Sequence, residues 1–252
     1  MIQALQERGH VVAMLGDGVN DVLAVKQADL GIAVGSGSPA TKAVAQIILI
    51  DGQFKTLPQI VAEGRRVLAN IERVANLFVT KTVYATLLVI IVSLARWPFV
   101  LLPRHFTLID VFTIGVPAFF LSLAPNIQRY QVGFLSRLWR FTLPTGLILS
   151  TAVLVSIFQA RLDPSLTLAQ ERTLATIVLS LLGLGTLMIF ATPLISWRGV
   201  LVVLMALGLY LSFLIPYARD FFALEIPSPS ILLQTGIIVI IATALLHIFS
   251  VK

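Results

Sequence analysis

The chain contains no cysteine, and only 12% of its 252 residues are charged, with 12 carboxylates against 18 Lys and Arg. Without cysteine there is no disulfide framework, no CxxC motif and no thiolate metal site. So little charge excludes an ordinary soluble domain, since hydrophobic residues reach 58% and mean hydropathy is +0.96. A net charge of +6 would suit nucleic acid, but the basic residues form no continuous patch. They stand at the ends of apolar stretches, where they flank a membrane, so no nucleic-acid partner is expected. Internal repeats and low-complexity tracts are lacking too. The opening residues Met1 to Arg8 carry an amphipathic helix pattern without the apolar core of a signal peptide.

What is present falls into two parts. In residues 1–56, short apolar runs alternate with helical patterns. Residues 2–9 read as a helix closed by Gly9, and Val11 to Leu15 as a buried parallel strand. Asp21 to Ala28 follows as a helix with Asn20 or Asp21 as its cap. Gly31 to Gly35 is a second strand, a helix starts at Pro39, and Gln46 to Ile50 is a third strand. The alternation predicts part of a doubly wound α/β domain, too short to be a whole one.

The remainder predicts an all-α transmembrane bundle. Residues 57–76 form an amphipathic stalk, with Arg65, Arg66, Glu72 and Arg73 on polar faces, that runs into the first span. Six spans are expected within 77–252, at about 77–95, 106–124, 141–160, 174–192, 199–218 and 230–249. An even number puts both termini on one side. The loop 125–140 holds Arg129, Arg137 and Arg140 and no acid, which places it and the termini in the cytoplasm of a multi-pass membrane protein. Trp97, Trp139 and Trp197 fall near span ends as an aromatic belt.

Two places carry chemistry. The first is Gly16-Asp17-Gly18-Val19-Asn20-Asp21 after the first strand. Gly16 and Gly18 let backbone approach a phosphate. The Asp17 carboxylate can hold Mg²⁺, a hard ion that bridges to substrate phosphate. Asn20 can donate to a phosphate oxygen, and Asp21 can orient the metal's surroundings. The plain alternative is an Asp-Gly turn followed by a capping Asp. The second place is Asp110, the only Asp or Glu inside an expected span, with Thr113 on the same face. Gly115 and Pro117 should loosen that helix and free carbonyls. Against this, Asp110 could be a solvated residue near a span end. Lys81, beside Thr82, reads as a lysine snorkelling to the interface; otherwise it neutralises Asp110 or occupies an ion position. Tyr84, Thr86, Ser122 and Thr186 read as helix-packing groups, and His247 as structural.

The run from Met14 to Ser38 resembles the hinge motif of P-type cation-transporting ATPases, whose phosphorylation domain is haloacid-dehalogenase-like (Rossmannoid). The likeness continues through Ala40-Thr41-Lys42, Asp51, Glu63-Gly64-Arg65-Arg66, Asn70-Ile71, Pro117-Ala118 and Ala124-Pro125-Asn126. It implies that Asp17 binds catalytic Mg²⁺, that Asn20 contacts the phosphoryl group and that Asp21 supports the metal. It departs at Leu15, where many relatives carry Thr. No Asp-Lys-Thr-Gly run is present, so the phosphorylated Asp, the nucleotide-binding domain and the earlier spans are expected in a missing N-terminal part. ATP would be bound mainly there, and the fragment alone would be inactive. The resemblance puts Asp110 where calcium pumps carry an amide ligand, and Ile114 and Ala85 where they carry acids.

The expectation is the C-terminal portion of an ATP-driven pump in a bacterial plasma membrane, for Ca²⁺ or another hard cation, with Asp110, Thr113 and Thr82 as candidate ion contacts. The alternatives are a non-catalytic membrane fragment or partner subunit, and a membrane-tethered phosphatase of the same hydrolase class.

Overall fold

The computed structural model describes residues 1–124, 133–192, 194 and 196–250. Pro125, Asn126 and Arg129 lie outside the described residues. The chain divides into two compact units, Met1–Gly64 and Arg65–Lys252.

In the first unit, α1 (Ile2–Gln6) precedes β1 (Ala13–Gly16), α2 (Val22–Gln27), β2 (Leu30–Val34), α3 (Pro39–Val44) and β3 (Ile47–Leu49). The strands form one parallel sheet in the order β1-β2-β3, with Ala13 opposite Leu30 and Ile32 opposite Ile47. Ile32, Ala33 and Leu49 of the sheet are buried with Val25 of α2 and Ala28 just after it. The first strand begins at Ala13 and not Val11, because the Val12 N–H is taken by the Asp29 carboxylate at 2.8 Å. α3 starts as its sequence dictates: Pro39 opens the helix and the Ser38 hydroxyl accepts from the Ala40 N–H at 3.2 Å.

The second unit is helical. α4 (Leu57–Leu94) carries the boundary between the units and runs without a break through the expected stalk and first span. α5 (Pro103–Asp110) is followed by a π-helical turn (Val111–Gly115) and α6 (Val116–Ser122). Then come α7 (Phe134–Arg161), α8 (Leu168–Ala191), α9 (Trp197–Leu214), α10 (Pro216–Phe222) and α11 (Pro229–Ser250). Among the described residues six helical segments are long and apolar enough to cross a membrane. The fifth ends earlier than hydropathy suggests, because Pro216 forces Ile215 into an extended conformation and opens a separate helix. The third starts earlier, just after Gly133, whose φ of 89° suits glycine.

α8 is the most enclosed of the candidate spans, with 61% of its apolar window buried. Ala175, Val178, Leu179 and Leu182 on α8 pack with Leu149, Val153 and Ile157 of α7, and with Tyr84 and Leu88 of α4. Its buried Thr173, Thr176 and Thr186 donate to carbonyls one turn back, at 2.9, 2.8 and 2.9 Å, so these hydroxyls are satisfied inside the helix. By contrast Ile90, Leu147, Phe158, Leu204, Ile240 and Leu245 are exposed, as lipid-facing side chains of a multi-pass membrane protein should be.

Candidate functional site

The loop after β1 is held by its own neighbours. A Cβ on Gly16 would lie 2.6 Å from the Asp21 Cβ and 2.9 Å from Val25 Cγ2, so only glycine fits there. Asp21 does not cap α2 with its side chain. Its Oδ2 instead accepts from the Asp17 N–H at 3.1 Å and the Gly18 N–H at 3.0 Å. Both amides are thereby fixed, and the Asp17 and Asn20 side chains are left exposed on the short turn that precedes α2.

The next strand's loop braces this one. The Ser38 N–H donates to the Asp17 carbonyl at 2.7 Å, and the buried Thr41 hydroxyl donates to the Gly18 carbonyl at 2.6 Å. A Cβ on Gly37 would come within 2.8 Å of the Asp17 carbonyl oxygen. Gly37, Ser38 and Thr41 are supporting residues that sequence reasoning left without a role. All three fall in the stretch from Met14 to Lys42 that carries the family resemblance and the helix start at Pro39, neither of which assigns them a contact.

One exposed carboxylate between two glycines, backed by a second that is engaged with backbone, suits Mg²⁺, which takes one or two protein carboxylates and completes its shell with water and phosphate oxygens. Among the described residues no group of three or more His, Cys, Asp or Glu could hold a metal by itself, so a dedicated protein cage is not what this loop offers.

The second place lies at the π-helical turn. There the Val116 N–H reaches back to the Val111 carbonyl. Asp110 ends α5 just before the turn, and its carboxylate is ion-paired with Lys81 of α4. Both side chains are about one-third exposed. The snorkelling reading of Lys81 is thus corrected: its ammonium is directed at a carboxylate within the bundle. Asp110 Oδ1 is buried with no hydrogen-bond partner among the described residues.

A cavity of about 20 Å³, room for about one water molecule, is lined not by the pair itself but by its chain neighbours Thr80 and Ile109 among others. Its polar lining is Thr80 and Tyr84 of α4, Thr113 of the π turn and Thr186 of α8. The Thr113 hydroxyl donates to the Ile109 carbonyl at 2.7 Å, but Thr80 Oγ1 and Tyr84 Oη are buried without partners among the described residues. Thr113 lines this cavity, and Asp110 directly follows another of its lining residues, Ile109. Thr82 does not join them: it is exposed, and its hydroxyl donates to the Phe78 carbonyl at 3.1 Å. Thr80 and Tyr84 take the inward positions on α4 instead.

Two glycines make room for the turn. A Cβ on Gly183 would lie 2.9 Å from Thr113 Cγ2, and one on Gly208 would lie 2.4 Å from Phe112 Cε1. Two further polar locks escaped sequence reasoning. Arg137 grips Glu72 through two hydrogen bonds of 2.8 and 2.9 Å. The Asn70 amide donates to the Ser122 and Ala124 carbonyls at 2.7 and 2.9 Å, satisfying the end of α6.

Comparison with known proteins extends these observations. Residues 1–53 match the family described as haloacid dehalogenase-like hydrolase. The chain is 48% identical over 240 residues, 89% of its length, to a protein of Mycolicibacterium smegmatis named calcium-transporting ATPase CtpE. The Mycobacterium tuberculosis protein of the same name is 46% identical over 94% of the chain. A probable cation-transporting ATPase, exp7, of Streptococcus pneumoniae is 33% identical over 97% of it. The chain spans only 30–32% of the length of these relatives.

Proposed function

From a chain homologous over most of its length to P-type cation-transporting ATPases, we propose the following division of labour. This segment supplies the magnesium loop and the cation-binding spans of an ATP-driven pump, with the phosphorylated Asp and most of the nucleotide site elsewhere in the full-length protein. Asp17 would hold Mg²⁺, which when bound supplies charge neutralisation at a phosphoryl group. Asp21 keeps the Asp17 and Gly18 amides in fixed positions, and Asn20 stands exposed where it can donate to a phosphate oxygen. The 57–76 part of α4 is the covalent connection that would carry the phosphorylation state toward the spans.

The observation that carries the transport reading is Asp110. A carboxylate within an apolar span is expensive unless it is used. Here it has one buried oxygen without a partner among the described residues, at the edge of a π-helical turn whose Thr113 lines a small cavity with Thr80, Tyr84 and Thr186. Carboxylate, hydroxyl and carbonyl oxygens suit a hard cation, and Ca²⁺ is the first choice because relatives carry that ion in their names. The transport site is assigned to Asp110 with Thr113, and Thr80 and Tyr84 complete its oxygen lining. The cytoplasm is assigned to both termini on the positive-inside argument.

The test uses the full-length pump that contains this sequence. Asp110→Ala should abolish cation-stimulated ATP hydrolysis and cation uptake into proteoliposomes while magnesium binding at the Asp17 loop persists. Undiminished uptake would overturn the assignment.

A further inference from the structure

We propose that the Lys81 ammonium is a built-in cation that occupies the Asp110 carboxylate when no transported ion is present, and that a transported ion binds by displacing it. This rests on the reading of Asp110 as the transport site.

Three observations lead to it. First, Asp110 is paired with Lys81, although Lys81 has a four-carbon stem that could have carried its charge to the membrane surface. Second, charge is scarce here. No other Asp or Glu lies in the six candidate spans apart from Glu63 and Glu72 on the early part of α4 and Glu171 at the start of α8. Glu72 is held by Arg137, and Glu171 accepts from Arg161. The Lys81–Asp110 pair is therefore neutral by itself, with no second carboxylate beside it to attract a divalent ion. Third, the site is not saturated: Asp110 Oδ1, Thr80 Oγ1 and Tyr84 Oη are buried oxygens without hydrogen-bond partners among the described residues. One carboxylate oxygen is occupied by the ammonium and the other faces inward, unclaimed.

An arriving cation meets a positive charge at the group it needs. Coulomb repulsion between unit charges at contact distance is large in a medium of low polarity, so both cannot share Asp110 cheaply. An unneutralised Asp110 would also be costly, because a buried charge without a partner destabilises the fold. Lys81 resolves both constraints. It stabilises the empty site and sets the cation's apparent affinity by competition.

The alternative is that Lys81 merely positions Asp110. The two roles predict opposite signs. In the full-length protein in nanodiscs, equilibrium Ca²⁺ binding is measured for the unmodified pump and for Lys81→Met, Lys81→Gln, Lys81→Arg and Asp110→Asn. If Lys81 competes, Lys81→Met binds Ca²⁺ about tenfold tighter or more, and Lys81→Arg stays near the unmodified pump. Lys81→Gln keeps a polar partner for Asp110 without the charge. It serves as the deciding variant if the Met form does not fold, and it too should bind tighter. Unchanged or weaker binding in the neutral variants overturns the proposal. Asp110→Asn separates the two readings. If it leaves Ca²⁺ binding intact, the transport-site assignment fails. If it abolishes binding while the neutral Lys81 variants bind no tighter, only the competition fails.

Discussion

Asp17 and Asp110 are the same chemical group placed under opposite conditions. Asp17 is exposed, and its position comes from backbone: its amide is held by Asp21, its carbonyl by Ser38, and its neighbours Gly16 and Gly37 admit no side chain. Asp110 sits in a span, partly buried, and its position comes from charge: an ammonium on another helix neutralises it. An exposed carboxylate can keep its charge in water and wait for a metal. A carboxylate in an apolar span must be compensated continuously. The first site is thus built from glycines and amides, the second from a lysine and hydroxyls.

Experiments can break this contrast from either side. The largest effect is expected from Asp17→Asn in the full-length protein, on the pump reading proposed above. If Asp17 holds the metal as proposed, loss of its charge should reduce magnesium-dependent turnover by about 100-fold or more, while equilibrium Ca²⁺ binding stays normal. If turnover survives, the loop does not hold the metal. Asp21→Ala should act less strongly, by about 10–100-fold, since it loosens the loop without removing the ligand; steady-state kinetics against magnesium concentration measures it.

Gly183→Ala and Gly37→Ala form a reciprocal pair, each of which forces a neighbour to move at a cost of about 1–3 kcal/mol. The first should shift Thr113 and weaken cation affinity with phosphorylation chemistry intact. The second should displace the Asp17 backbone and do the reverse. Parallel assays of cation binding and phosphoenzyme formation check both, and a common effect would erase the separation between the two sites.

The smallest effect concerns acid. The Asp51 carboxyl is held below its ordinary value of 3.8 by the Thr56 hydroxyl first and the Gln53 N–H second. A lowered value means that the stabilisation is full at neutral pH and is lost as pH falls through the folded value, below that ordinary one. Thr56→Val should therefore lower thermal stability slightly at neutral pH, and the difference should vanish in strong acid. A Tm series against pH reads it.

Much of the fold was legible in the chain. Short apolar runs ended by glycine gave three parallel strands, and hydropathy gave six candidate spans, because both follow from local pattern. Element ends moved where a single residue intervened, as at Pro216 and at the Asp29 carboxylate that takes the Val12 amide. The site residues divide in the same way. Asp17 and Asp110 stand out by context alone. Their supports do not, since Thr41 meets Gly18 across 23 residues and Lys81 meets Asp110 across 29. A lysine in a hydropathy trace looks the same whether it reaches for the membrane surface or for a carboxylate. Thr82 stands next to Lys81 in the sequence, whereas the helical repeat turns Thr80 and Tyr84 inward.

The π-helical turn between α5 and α6 can be viewed as a dislocation, one residue too many in an otherwise regular lattice of hydrogen bonds. Such a fault can glide. Moving it by one position exchanges one hydrogen bond for another and rotates the residue it passes by about 100°, without unwinding the helix. Asp110 stands at the edge of the fault, so a single glide step would turn its carboxylate away from Lys81. Phe112 over Gly208 and Thr113 over Gly183 are the pins that hold the fault where it lies.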